Sequence, residues 1–509
     1  MKTMLLFRLT YVVKCFLPFY LFTLLPLCAR AQRYSCTHVE GKTRGETYSL
    51  AEPFPFDRSK VYRQPVVLIT FENCNFKMED PVRYYDRLFN EKGYNEGAGP
   101  GCVADYFRDQ SDGLVNLQFD IYGPVKVDFK AGGHGSRYQG TEILRDACKK
   151  LNNSGVTTDF HIYDWDNDNL VDQVVFVAAG PSGNFEAGYI WPNTGGLTCE
   201  MPGKIYSRNA SVSCELWKDG GMCGSGILIH EFCHTLGLPD IYPLSPATSF
   251  SAVDEWDLMD GGDYTGKGWC PVNLTVMEKM YLGWKQPKEL TAATTITGMK
   301  PVSQGGDTYL IRNSGNDDEY YLLENRQQEG WDYGCPGNGL LIYHVDYEKK
   351  AWGNNQVNVN NNHFHFNLFP ADGKSYRDWD PANNGEDPDK YTMDGGLRCR
   401  YLSTSSYPFI DPVTQAMNDI LSDGSSPAST VFTKNAEGKY FMSKAITNIR
   451  RESDGTISFD FMKEETAIKG VQSTDDDAGS WYDLQGRRLS GKPTRKGVYV
   501  HDFRKIVVK

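Results

Sequence analysis

The chain has no basic excess: 53 Lys and Arg stand against 65 Asp and Glu, a formal net charge of −12. That balance argues against a nucleic-acid partner, which calls for a basic surface. No long block of like charge is present, so disorder is not the main theme. Nor is there an uninterrupted apolar run long enough to span a bilayer. The apolar run 15–28 is short and is broken by Pro18 and Pro26. What remains is a chain of 509 residues, 40% hydrophobic and 13% aromatic, able to bury cores in roughly two to four domains.

The N-terminus reads as a targeting segment. Lys2, Arg8 and Lys14 supply positive charge for the apolar run 15–28, and Ala29-Arg30-Ala31 follows as a small-x-small cleavage site. Residues 1–31 are therefore predicted to be a signal peptide, giving a secreted or cell-surface protein with no transmembrane anchor. Leu27 stands before Cys28 where a lipoprotein signal wants a small residue, which argues against lipidation. Cleavage removes four basic residues, taking 53 to 49 and the net charge from −12 to −16. Of the 13 cysteines, Cys15 and Cys28 leave with the signal. Cys233 is expected to be a buried thiol, and the even remainder predicts disulfides, with Cys199, Cys214 and Cys223 stapling one loop.

The chemistry concentrates in residues 227–242, ILIHEFCHTLGLPDIY. On a helix, His230 and His234 stand four residues apart and face the same way. Two imidazoles on one face can take two corners of a zinc tetrahedron. Glu231 lies where its carboxylate can reach a metal-bound water as general base. Gly237 can end the helix in a left-handed conformation, and Pro239 cannot continue it. The chain therefore turns, and Asp240 can return as the third ligand. Residues 256–262, WDLMDGG, read as a tight turn whose Met259 packs beneath the metal. Tyr264 follows five residues after Met259 and is read as structural.

HEFCHTLGLPDIY followed by WDLMDGG resembles the immune inhibitor A family of secreted zinc metallopeptidases (peptidase family M6). The pattern DYF…S-x-G at 105–113, residues 320–346 and Ala371-Asp372-Gly373 resemble it too, over roughly residues 60–463. The resemblance implies an α+β protein with a zincin/metzincin-like catalytic domain, one catalytic Zn2+, and proteins or peptides as substrates. The expected organisation is a prosegment or lead-in at 32–60, a catalytic domain at 61–289, a β-rich region at 290–463, and a linker with a small β tail at 464–509. Trp481 to Lys509 resembles the C-terminal sorting domains of Bacteroidetes proteins, which implies the type IX (Por) secretion machinery as a partner. A surface-binding protein on an inactive protease scaffold is the alternative, and a zinc hydrolase of another amide or ester is a third reading. Glu231 beside both histidines favours the endopeptidase.

Elsewhere the patterns are structural. Residues 65–71, PVVLITF, read as a buried strand, and 104–113 as an amphipathic helix before a strand at 114–122. Residues 139–152 and 271–284 show helical spacing. Asp164, Asp166, Asp168 and Asp172 occupy positions 1, 3, 5 and 9 of a calcium-loop-like array. Asn169 and Val175 stand where an EF-hand needs Gly and Glu, so a structural Ca2+ and a plain acidic turn both stay open. The family tends to carry His after Trp-Pro, where this chain has Trp191-Pro192-Asn193. His363 and His365 lie in an Asn-rich span and read as solvated, and Cys36 as a disulfide partner or idle thiol rather than a latency switch.

Overall fold

The computed structural model describes residues 55–463, apart from 136–139, 184–185, 187, 245–250, 361 and 375–401, together with segments of 481–508. The predicted signal peptide, most of the 32–60 lead-in and Cys36 lie outside the described residues. Among the described residues, no helix is long and apolar enough to cross a membrane. The described residues fall into two compact units, one ending at 462 and the other beginning at 463.

The first unit is mixed α/β, with several sheets and few helices. One sheet runs in the order β2 (Leu117–Lys126), β1 (Tyr62–Thr70), β3 (Leu170–Pro181), β6 (Ile205–Leu216), β4 (Asn193–Gly196), with β5 (Glu200–Met201) also paired to β6. β1, β2, β3 and β6 are parallel; β4 and β5 run antiparallel to β6. The apolar run predicted at 65–71 lies in β1 and is covered on both faces. Val66 and Leu68 enter one core and Val67 and Ile69 the other. β3 repeats this, with Val175 and Val177 on one side and Val174 and Phe176 on the other. A strand buried on both faces reads as a continuous apolar run for this reason.

Helices α1 (Pro81–Asn90), α2 (Val103–Gln110) and α4 (Gly226–Leu236) contribute to the first core and α3 (Thr141–Asn152) to the second. α1 starts at Asp80, whose carboxylate accepts from the Arg83 amide, and Pro81 follows at its first turn. The helix expected over 271–284 is shorter. Only Val276–Tyr281 (α5) is helical, because Thr275 and Glu278 close a capping box there.

Residues 290–463 are β-rich. A sheet in the order β12 (Phe366–Leu368), β11 (Gly339–Asp346), β10 (Asn316–Arg326), β9 (Tyr309–Asn313), β7 (Lys288–Glu289) shares its core with the preceding region. Tyr320, Leu322, Leu341 and Tyr343 join the core containing α4, while Tyr321, Leu323, Leu340 and Ile342 join a third core. The three-stranded sheet of 446–451, 457–461 and 294–299 covers that third core. Buried Arg326, on β10, pairs with Glu324 and Asp332 and donates to the Trp256 and Asn273 carbonyls at 3.0 Å each. The β-rich residues are thus packed into the same unit as α4. The second unit is a four-stranded antiparallel sheet, with strands at 481–482, 488–489, 497–501 and 504–508.

The expected disulfide staple is not formed. The nine described cysteines, Cys199, Cys214 and Cys223 among them, are free thiols, and Cys233 is buried as expected. Cys199 and Cys214 pack into an apolar core, where a thiol behaves as a small hydrophobe.

Candidate metal centre

α4 carries the HEFCH segment and is buried along its whole length. It begins at Gly226, where a Cβ would come within 1.9 Å of the Asp263 carbonyl oxygen. It ends at Gly237 with φ 111°, the left-handed conformation expected there. The backbone then turns, and the Ile241 amide donates to the Met259 carbonyl at 2.8 Å. That bond joins the segment bearing Asp240 to the turn bearing Met259, which is itself buried in the core.

The same turn orients the first imidazole. His230 Nδ1 lies 3.0 Å from the Leu258 carbonyl oxygen, and His234 Nδ1 lies 2.8 Å from that of Leu238. A carbonyl only accepts, so each ring carries its proton on Nδ1 and presents a lone pair at Nε2. Both Nε2 atoms face Asp240 Oδ1, at 3.4 Å from His230 and 3.2 Å from His234. Three electron-pair donors repel across such distances unless a cation lies between them. Ligands at 2.0–2.1 Å in a zinc tetrahedron are separated by about 3.3 Å, so the spacing fits that ion. One ligand atom from each residue falls within 4.8 Å of the others, and all three residues are buried.

Asp240 is fixed from a distance. Asn355 Nδ2 donates to Asp240 Oδ2 at 2.7 Å, and its Oδ1 accepts from the Asp240 amide at 2.5 Å. Burial acts to raise the Asp240 pKa, but the neighbouring His234 and His230 outweigh it and hold the group at about 2. The Glu231 carboxylate is held from the sheet. Its Oε2 lies 2.9 Å from Thr194 Oγ1, whose single hydroxyl proton is shared with the Glu231 carbonyl oxygen at 2.7 Å. Burial pushes the Glu231 carboxyl upward, and His230, His234 and Thr194 oppose this. Thr194 belongs to β4, the terminal strand of the sheet. Neither Thr194 nor Asn355 carries a motif that sequence reading could use. Thr194 merely follows the Trp191-Pro192-Asn193 triplet, and Asn355 is one of several asparagines in its span.

Residues 217–286 match the catalytic-domain model of the immune inhibitor A peptidases, family M6. That stretch contains α4, Asp240 and the Met259 turn. The chain is similar to the pre-pro-metalloprotease PrtV of Vibrio cholerae, at 24% identity over 240 residues. That similarity covers 40% of this chain and 26% of the relative. It is also similar to immune inhibitor A of Bacillus thuringiensis subsp. alesti, at 23% identity over 278 residues, 43% of this chain and 40% of the relative. The chain thus spans 26% and 40% of the lengths of these two relatives. These similarities support a metallopeptidase.

The remaining site expectations fall as follows. Asp164, Asp166 and Asp172 each bring a carboxylate oxygen within 4.8 Å of the others. Asp168 is not among them and instead pairs with Arg208. Asp164 accepts from the amides of Asp168 and Asn169, as an acidic turn does. Tyr264 packs against Trp217, with ring centroids 5.9 Å apart.

Proposed function

We propose that the protein is an exported zinc endopeptidase. His230, His234 and Asp240 would hold the ion and Glu231 would act as general base. The observation that carries this is the convergence of two Nε2 lone pairs and one carboxylate oxygen at tetrahedral spacing, beside a second carboxylate, that of Glu231, held by Thr194. A zinc ion held there supplies Lewis acidity, acidifying water and polarising a carbonyl.

The chain's own residues would do the rest. The Leu258 and Leu238 carbonyls keep both imidazoles in the ligating tautomer. Asn355 turns Asp240 so that Oδ1 faces the histidines. Thr194 aims the Glu231 carboxylate, whose raised affinity for protons suits a group that takes one from water and passes it to a leaving amine. A substrate strand laid along β4 would bring its carbonyl to that carboxylate, because Thr194 lies on this strand.

On this reading Asp164, Asp166 and Asp172 take a structural calcium ion without Asp168, and the tail addresses the chain to a type IX exporter. The deciding experiment is cleavage of denatured protein substrates with metal stripped by chelation and then restored. Loss and recovery of peptide-bond hydrolysis supports the proposal. Failure to cleave a broad panel after trimming of residues 32–60 contradicts it.

A further inference from the structure

The loop that supplies Asn355 continues to a second cluster of metal-binding side chains. Its far end forms a tight turn in which the His363 amide donates to the Asn360 carbonyl at 3.0 Å. The chain then pairs with the end of β11, where the Asp346 amide donates to the His365 carbonyl at 2.9 Å. This pairing places His363 and His365 beside the Asp346 side chain. One ligand atom from each of the three lies within 4.8 Å of the others. Glu348 stands at the rim, its Oε2 3.6 Å from His365 Nε2.

The rings are held in place by aromatic packing. His363 stacks on Phe432 with centroids 3.8 Å apart, and His365 lies edge-on to Trp352 at 6.1 Å. The group is half-buried: the side chains of His363, His365 and Asp346 are 35%, 18% and 17% exposed. An ion can therefore reach it from solvent, while the backing side chains limit its freedom.

We propose that Asp346, His363 and His365 form a second transition-metal site, separate from the one on α4, with Glu348 available as a fourth ligand. Two imidazoles and a carboxylate select a borderline divalent ion such as zinc over calcium or magnesium. Binding replaces the 2.6 Å hydrogen bond between His363 Nε2 and Asp346 Oδ2. The His363 proton moves to Nδ1, so Nε2 and the carboxylate both turn to the ion and no net proton is released.

The site would brace the loop at 354–365. At its near end Asn355 holds Asp240, and Asn358 Nδ2 donates to the Ile241 carbonyl at 3.0 Å. At its far end the metal would fix His363 and His365 to β11. The inference does not depend on the peptidase reading, since it concerns metal binding alone.

The test uses the full chain carrying His230→Ala and His234→Ala, stripped of metal and titrated with zinc chloride. Bound zinc is read by equilibrium dialysis with elemental analysis, and Tm by calorimetry. The expected result is about one zinc per chain and a Tm that rises with zinc, as mass action requires. Adding His363→Ala and His365→Ala should weaken that binding by about tenfold or more and abolish the zinc-dependent rise in Tm. Should the quadruple variant misfold, His363→Ala with His365→Ala in the otherwise unaltered chain serves instead. Saturating zinc should then fall from about two to about one per chain. Zinc stoichiometry and Tm response unchanged by the His363 and His365 substitutions would overturn the proposal.

Discussion

Asn355 grips Asp240 with both ends of its amide, accepting from the Asp240 backbone at 2.5 Å and donating to its carboxylate at 2.7 Å. The two residues are 115 positions apart in the chain. Asn355 adopts φ 55°, a left-handed conformation that asparagine tolerates better than most residues. The β-rich part of the protein therefore helps to shape the candidate metal centre.

Asn355→Ala should loosen zinc without unfolding the chain. Loss of such a supporting partner typically costs about 10–100-fold in metal affinity. Competition with a chromophoric chelator would read this directly, and circular dichroism would check the fold. Affinity unchanged within error would remove Asn355 from the centre.

Thr194→Val removes the hydroxyl that donates to Glu231 while keeping the shape. Hydrogen bonds to charged groups are worth about 1.5–3 kcal/mol. A fall in kcat of roughly tenfold or more is expected, with zinc content and KM little changed. If KM rises and kcat is retained, Thr194 serves binding along β4 and does not aim the base.

How legible these features were in the sequence follows from how local they are. His230 and His234 stand four residues apart on α4, so spacing alone set them on one helical face with Glu231 beside the first, and Gly237 marked the turn that returns Asp240. The buried strand β1 announced itself through a continuous apolar run. Thr194 and Asn355 act across strands and loops, where no periodicity points to a partner. Met277 and Met280 suggested a long helix after Pro271, yet capping by Thr275 and Glu278 confines it to one and a half turns. The division between the first and third cores depends on which face of β10 meets which layer, a matter of tertiary pairing that spacing within β10 cannot settle.

Glu278 gives a pH dependence of stability. Burial, with Glu324 adding to it, pushes its carboxyl from 4.5 up to about 7, against the Thr275 hydrogen bonds and Arg326. Between those values the folded state binds the proton more tightly than the unfolded state. Stability should therefore be lost as pH rises from 4.5 to about 7. Glu278→Gln keeps the helix cap and removes that titration. Urea midpoints at pH 5 and pH 8 should differ less in the variant than in the parent, by up to about 3 kcal/mol. An equal or larger difference in the variant would contradict the assignment.

Gly226→Ala should destabilise the unit strongly. The added methyl would meet the Asp263 carbonyl oxygen at 1.9 Å, and overpacking of this kind costs about 1–3 kcal/mol or more. Because Gly226 opens the helix bearing His230, zinc affinity should fall together with the denaturation midpoint. A variant as stable as the parent would mean that α4 and the 262–268 segment can separate at no cost.

The most direct test of the central claim compares peptide-bond cleavage by the parent and by Glu231→Gln at equal zinc content. Glu231 is read as the base and not as a ligand, so zinc should stay bound in the variant. The rate should fall by about 10²–10⁴, the usual worth of a positioned general base. Equal rates for the two proteins at equal zinc would contradict the mechanism proposed for this site.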